Sequence, residues 1–295
     1  EANSVQKLIS KADVLLEALP YLQRFRGETF VIKYGGSFMD SPDPTIREGV
    51  ARDAIFLAAA GIKPVLVHGG GKAITRAMEK SGLKANFIQG MRVTDEPTVN
   101  VVEKVLSQEI NPEVVQTINR LTGNAKGFSG TQVFSCSKLW LDSPAGEKID
   151  IGYVGEVSAV FIQPILKSMQ ENFIPVISPT ARGVDGKIYN CNADVAAAQV
   201  AIALKARRLV FMSDVPGLLS NPKDPNTLIS QLHASAVDGL KQSGVIDKGM
   251  IPKVDSAIAA LKAGVRKVSF VDGRVSHSIL LEIFTDEGVG TEILL

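Results

Sequence analysis

The feature that most constrains this chain is a recurring unit: a short apolar run, a glycine or polar turn, then a helical stretch. Thr29-Phe30-Val31-Ile32-Lys33 leads into Gly35-Gly36, and Pro64-Val65-Leu66-Val67-His68 leads into Gly69-Gly70-Gly71. Ile174 to Ile177, Leu209 to Met212 and Lys267 to Val271 repeat the pattern, with helices predicted over Asp194 to Leu204, Val254 to Ala263 and His277 to Phe284. A strand with no polar face has no side to turn to water, so it needs cover above and below. The alternation therefore predicts an α/β fold, a three-layer α/β/α sandwich around a mostly parallel central sheet. Asp43-Pro44 reads as an N-cap followed by proline in the first helical position, and Gly61 as the stop of that helix. Residues 123–161, rich in Gly, Ser and strand formers, predict an insertion carrying a hairpin. Two lobes should divide near residue 180.

Ahead of the first strand, Val5, Leu8, Ile9, Ala12, Leu15, Leu16 and Leu19 recur at three- and four-residue steps, the stripe of an amphipathic helix. Pro20 is expected to kink or end it, because proline lacks an amide hydrogen and clashes with the carbonyl four residues back. The first residue is Glu1 rather than Met, which leads us to expect that an upstream segment has been removed.

Composition removes several classes of function. With 32 Lys+Arg against 31 Asp+Glu, the chain has no basic footprint for nucleic acid. No run approaches the roughly 20 apolar residues of a membrane span. Cys136 and Cys191 form no C-x-x-C pair, and His68, His233 and His277 match no metal-binding spacing. These features predict a reducing compartment and no protein-bound transition metal; the expected location is the cytoplasm, or an organellar stroma if a transit peptide has been removed. His68 reads as a packing histidine rather than a base.

In open α/β sheets, ligands bind beyond the carboxyl ends of the strands. Lys33-Tyr34-Gly35-Gly36, His68-Gly69-Gly70-Gly71-Lys72 and Ser213-Asp214-Val215-Pro216-Gly217 all fall there. Neither glycine run has the Walker spacing or the dinucleotide fingerprint. Tyr189-Asn190-Cys191-Asn192-Ala193-Asp194 places two amides and a carboxylate before an apolar helix. Taken alone, it reads equally as an Asx turn with an N-cap.

Taken together, these blocks resemble one family. V-I-K-Y-G-G at 31–36, V-H-G-G-G at 67–71, G-M-R-V-T-D at 90–95 and G-Y-V-G-E-V at 152–157 match the N-acetylglutamate kinases of the amino-acid kinase family. So do Y-N-C-N-A-D at 189–194, S-D-V-P-G-L-L at 213–219, G-M-I-P-K at 249–253 and F-T-D-E-G-V-G-T at 284–291. The likeness runs from about Ala12 to Leu295 and implies ATP-dependent phosphorylation of the side-chain carboxylate of N-acetyl-L-glutamate, in arginine biosynthesis. It implies that Lys33 and Lys253 stabilise the transferring phosphoryl group and that Asp194 orients them. Gly70, Gly71, Arg92 and Asn190 would then receive the acyl substrate. Gly35, Gly36, Asp214, Val215, Pro216, Gly217, Leu218, Leu219, Val245, Ile246 and Asp247 would bind the nucleotide, with Mg²⁺ arriving on its phosphates. A carboxylate nucleophile is already ionised at neutral pH, so no general base is required.

The block E-A-L-P-Y at 17–21 resembles the arginine-inhibited members, which are hexamers built as trimers of dimers. That likeness implies a 1–26 oligomerisation helix, an acyl-substrate lobe over 27–180 and a nucleotide lobe over 181–295. It also implies an arginine site including Glu282, Gly288 and Gly290, and a nitrogen-regulatory signal protein as partner. Three positions depart from the family pattern: Ser129-Gly130-Thr131-Gln132-Val133 for S-G-K-D-G, Ile110-Asn111-Pro112 for V-N-K, and Phe38 where a small residue is usual. They fall on the acyl-substrate half and bear on the choice of acceptor. The alternatives are a carrier-linked acetylaminoadipate kinase, a non-catalytic amino-acid sensor on the same fold, and a nicotinamide dehydrogenase, which the missing fingerprint opposes.

Overall fold

A computed structural model describes residues 2–247 and 249–295; Glu1, where the expected N-terminal segment begins, lies outside the described residues. In chain order the first part runs α1 (Ala2–Phe25), β1 (Thr29–Tyr34), α2 (Pro44–Ala59), β2 (Lys63–His68), α3 (Gly71–Lys80), β3 (Phe87–Ile88), β4 (Met91–Arg92), α4 (Glu96–Glu103) and α5 (Asn111–Arg120). The middle runs β5 (Ala125–Phe128), β6 (Phe134–Asp142), β7 (Lys148–Val160), α6 (Gln163–Gln170), β8 (Ile174–Ile177), β9 (Thr180–Gly183), β10 (Ile188–Cys191) and α7 (Ala193–Ala203). The last part runs β11 (Arg208–Ser213), β12 (Gln231–His233), α8 (Val237–Gln242), α9 (Ile251–Lys262), β13 (Lys267–Asp272), α10 (Ser278–Ile283) and β14 (Thr291–Leu294).

The main sheet has eight strands in the order β12-β14-β13-β11-β1-β2-β8-β5. Only β13 and β14 pair antiparallel; the other neighbours are parallel. The apolar runs have no polar face because both faces are buried. Phe30, Ile32, Leu66 and Val210 pack with α2, α5 and α10, whereas Val31, Val67, Leu209 and Phe211 pack with α7 and α9. This is the expected α/β/α sandwich.

Local signals were reliable at helix ends. Asp43 Oδ1 accepts the Thr45 amide at 2.8 Å, Pro44 opens α2, and Gly61 follows it at φ +84°. Of the two outcomes expected at Pro20, an end is ruled out, since α1 continues through it to Phe25. The last turns are held from outside: Tyr21 donates to Asp286 Oδ1 at 2.6 Å and meets Phe284 edge-on, and Phe25 is buried against Phe30. Tertiary packing there outweighs the lost backbone hydrogen bond.

The 123–161 insertion is also divided differently. Its hairpin, β6 and β7, closes into a four-stranded barrel with β9 and β10, but β5 leaves it to become the outer parallel strand of the main sheet. Between α4 and α5 the helix widens to a π stretch, Lys104–Ile110, just before Pro112, which has no amide hydrogen to continue the ladder. Among the described residues no helix is long and apolar enough to cross a membrane.

Candidate active site

A cleft of about 250 Å³ opens where β1, β2, β10 and the barrel meet, and it is lined by Lys33, Gly35, Gly36, Gly70, Gly71, Arg92, Asn190 and Asp194. Lys33 comes from the carboxyl end of β1, and the glycines from the turns after β1 and β2. Asp194 lies in the first turn of α7. That helix begins there because Asn192 caps it, accepting the Asp194 and Val195 amides at 2.8 and 3.1 Å. The Y-N-C-N-A-D block thus serves both readings: Asn192 is the cap, while Asn190 and Asp194 face the cleft.

Two cations meet at one buried carboxylate. Lys253 Nζ, from the first turn of α9, donates to Asp194 Oδ2 at 2.7 Å, and Lys33 Nζ lies 3.3 Å from Asp194 Oδ1. Burial works against the charge of Asp194, but the two ammonium groups outweigh it and hold the carboxyl below its usual range. Burial lowers the affinity of Lys33 for its proton, with Asp194 opposing that effect and Lys253 adding to it. Two ammonium groups on one carboxylate leave one net positive charge; Lys33 and Asp194 line the cleft, and Lys253 reaches Asp194 from outside that lining.

Arg92 is buried and held from several sides. Its guanidinium donates to Gly71 O at 2.9 Å and Thr75 Oγ1 at 3.0 Å, and lies over the Phe87 ring at 4.7 Å. The short β3–β4 hairpin that carries it is anchored where Thr94 exchanges backbone hydrogen bonds with Ile151 and Tyr153 of β7. A planar fork fixed in this way suits a carboxylate.

The nucleotide candidates gather less completely. Asp214 reaches the first glycine turn, where Ser37 N–H and Oγ–H both donate to its Oδ1, at 2.6 and 2.8 Å. Leu218 and Ile246 are buried in one apolar cluster, and Asp247 Oδ1 accepts the Gly249 and Met250 amides ahead of α9. Gly35 and Gly36 line the 250 Å³ cleft, whereas Asp214 to Leu219 and Val245 to Asp247 do not. The effector candidates do converge: Glu282 is buried and its Oε2 accepts the Val289 and Gly290 amides at 2.8 and 3.3 Å.

Sequence reasoning missed Asn111 and Ser37. Asn111 is buried and donates to Val176 O at 2.9 Å, and its Nδ2 lies 3.2 Å from His68 Nε2. It sits inside a block noticed only for its departure. The 129–133 departure is a capped turn: Ser129 Oγ donates to Glu103 Oε1 and accepts the Thr131 amide. It opens on a separate hollow with Glu103, Ser107 and Arg182 and does not line the cleft. His68 is fully buried with Nδ1 2.9 Å from Gly69 O, and burial pulls its pKa down to about 4, which leaves it neutral.

Residues 28–272 match the model of the amino acid kinase family. The chain is 48% identical to the acetylglutamate kinase of Aquifex aeolicus over 99% of this chain and 100% of that enzyme. It is 47% identical to that of Carboxydothermus hydrogenoformans over 97% and 99%. Among solved structures, N-acetylglutamate synthase from Neisseria gonorrhoeae, complexed with coenzyme A and N-acetyl-glutamate, superposes with TM-score 0.79 at 26% identity. That match covers 95% of this chain, which spans 62% of the synthase. Carbamate kinase from Giardia lamblia bound to AMP-PNP, at TM-score 0.63 and 18% identity, covers 91% of this chain and 98% of its own and shares the fold.

Proposed function

Because the chain belongs to the amino acid kinase family, and matches acetylglutamate kinases over 97–99% of its length, we propose that it catalyses transfer of the γ-phosphoryl group of ATP to the side-chain carboxylate of N-acetyl-L-glutamate. A carboxylate oxygen attacks the γ-phosphorus, the bond to the β,γ-bridging oxygen breaks, and ADP and an acyl phosphate result. The observation that carries this reading is the pair of lysines converging on Asp194 beside two glycine turns.

Phosphoryl transfer asks for alignment and charge neutralisation more than covalent chemistry. Lys33 and Lys253 supply positive charge at the β- and γ-phosphates, and Asp194 keeps them from repelling each other apart. The amides at the start of α3, after Gly70 and Gly71, face the transferring group. Arg92 takes the α-carboxylate and Asn190 a polar group of the acyl substrate. The neutral His68 provides no base, and a carboxylate nucleophile needs none. Among the described residues no three His, Cys, Asp or Glu side chains gather as a metal cage. Mg²⁺ would arrive on the nucleotide, held mainly by phosphate oxygens and water, and would neutralise phosphate charge. In this reading residues 27–180 form the acyl-substrate lobe and residues 181–295 the nucleotide lobe.

Arginine inhibition and the hexamer belong to the same proposal. Val5, Leu8, Ile9, Leu15, Leu16 and Leu19 of α1 are 44–69% exposed, so the stripe does not pack back on its own lobe, and a second copy of the helix would cover it. The carboxyl end of α1 meets the Phe284–Asp286 segment next to Glu282, so an interface formed by α1 would lie close to the effector candidates. Acyl-hydroxamate formation with ATP, comparing N-acetyl-L-glutamate with N-acetylaminoadipate and titrating arginine, tests the assignment. Preference for the aminoadipate derivative would shift it to the lysine-type kinase, and no product with either acid would favour a sensor.

A further inference from the structure

We propose that Ser37 is a positioning residue for the nucleotide: it holds the Asp214 carboxylate on the first glycine turn, next to Gly36 of the cleft, and so joins the two lobes there. This rests on reading Asp214 as part of the nucleotide site. Ser37 and Asp214 are 177 positions apart, yet both donors of Ser37, its amide and its hydroxyl, converge on a single oxygen, Oδ1. Oδ2 accepts no hydrogen bond from the described residues. The carboxylate is therefore fixed through one oxygen and presents the other to a donor on the nucleotide, a hydroxyl or an amino group.

The turn is built to allow this approach. Gly36 stands at φ +141°, and a Cβ there would come within 2.6 Å of Asp214 Oδ1 and 2.7 Å of the Phe38 ring. Phe38, unusual for the family at this position, is fully buried with its ring 5.6 Å from that of Tyr34. It fills space left by Gly273 after β13, where a Cβ would fall 2.2 Å from the ring. The Phe38 ring packs the turn against Gly273, and Ser37 ties the same turn to Asp214.

The experiment uses the full chain as wild type, Ser37→Ala and Ser37→Thr, with separate saturation curves for ATP and N-acetylglutamate and a denaturation midpoint for each protein. Loss of one hydrogen bond to a charged acceptor should raise the KM for ATP about 5- to 20-fold in Ser37→Ala. The KM for the acyl substrate should stay within about twofold and the midpoint unchanged, and Ser37→Thr, which keeps the hydroxyl, should recover most of the loss. An unaltered KM for ATP, equal increases in both constants, or a Thr variant as impaired as Ala would overturn the proposal. If wild type forms no acyl phosphate, the functional assignment fails. Calorimetric ATP binding by the same three proteins then decides the positioning role, with an Ala affinity equal to wild type counting against it.

Discussion

Lys253 Nζ lies 2.7 Å from Asp194 Oδ2 although 59 positions separate the two residues, and the same carboxylate has Lys33 on its other oxygen. The three side chains therefore act as one charged unit, and its energetics will not divide evenly among them. Replacing Lys253 or Lys33 by Ala should lower kcat by roughly two to four decades with a smaller change in either KM, because the charge matters most in the transition state. Steady-state hydroxamate assays measure this. A Lys253→Ala enzyme with near-normal turnover would remove the lysine from the mechanism.

Asp194→Asn should reduce kcat by at least about a hundredfold, since two buried ammonium groups then face each other without a counter-charge. Arg92→Lys should act differently, raising the KM for N-acetylglutamate about tenfold or more while that for ATP stays level, because Lys cannot reproduce the planar fork. Equal damage to both constants in the Arg92 variant would argue against a carboxylate clamp.

The buried His68 gives a pH dependence with a definite sign. Its pKa is near 4 in the folded chain and about 6.5 when unfolded. Between those values only the unfolded state takes up the proton, so stability falls as pH drops from about 6.5 towards 4, by up to ~3 kcal/mol from this group. Urea midpoints from pH 7 to 4.5 should fall less steeply for His68→Gln than for wild type. Parallel slopes would show that other groups govern the acid limb.

Gly288 has φ +67°, and a Cβ there would sit 2.5 Å from Glu282 Oε2. Gly288→Ala should cost about 1–3 kcal/mol, lower the melting temperature by several degrees and weaken arginine inhibition. Unchanged arginine sensitivity with lowered stability would separate this loop from the effector site.

Deleting residues 1–24 should give smaller, active oligomers that arginine no longer inhibits. Light scattering and activity at rising arginine, measured on the same preparation, check both halves of that expectation. A truncated protein that stays hexameric and sensitive would place the interface and the effector elsewhere.

What could be read in the chain was local. The apolar runs, the glycine turns after β1 and β2, the Asp43–Pro44 start of α2 and the Asn190–Asp194 block are set by residues within a few positions of one another. Backbone sterics and burial act at that range. The blocks that resemble the acetylglutamate kinases then brought Lys33, Asp194 and Lys253 together as a group, which periodicity alone does not do.

By itself, the sequence determined the sandwich, the amphipathic α1 and the side chains available at the strand ends, because pattern and propensity operate over a turn or a strand. Only the tertiary structure decided that α1 runs through Pro20, since Tyr21 and Phe25 find partners in Asp286, Phe284 and Phe30. It also took β5 out of the hairpin insertion into the main sheet, set Asn111 against His68, and joined Ser37 to Asp214. Apart from Phe25 on Phe30, those contacts pair groups tens to hundreds of positions apart. Their energies depend on burial and on the geometry of a partner that no local pattern encodes.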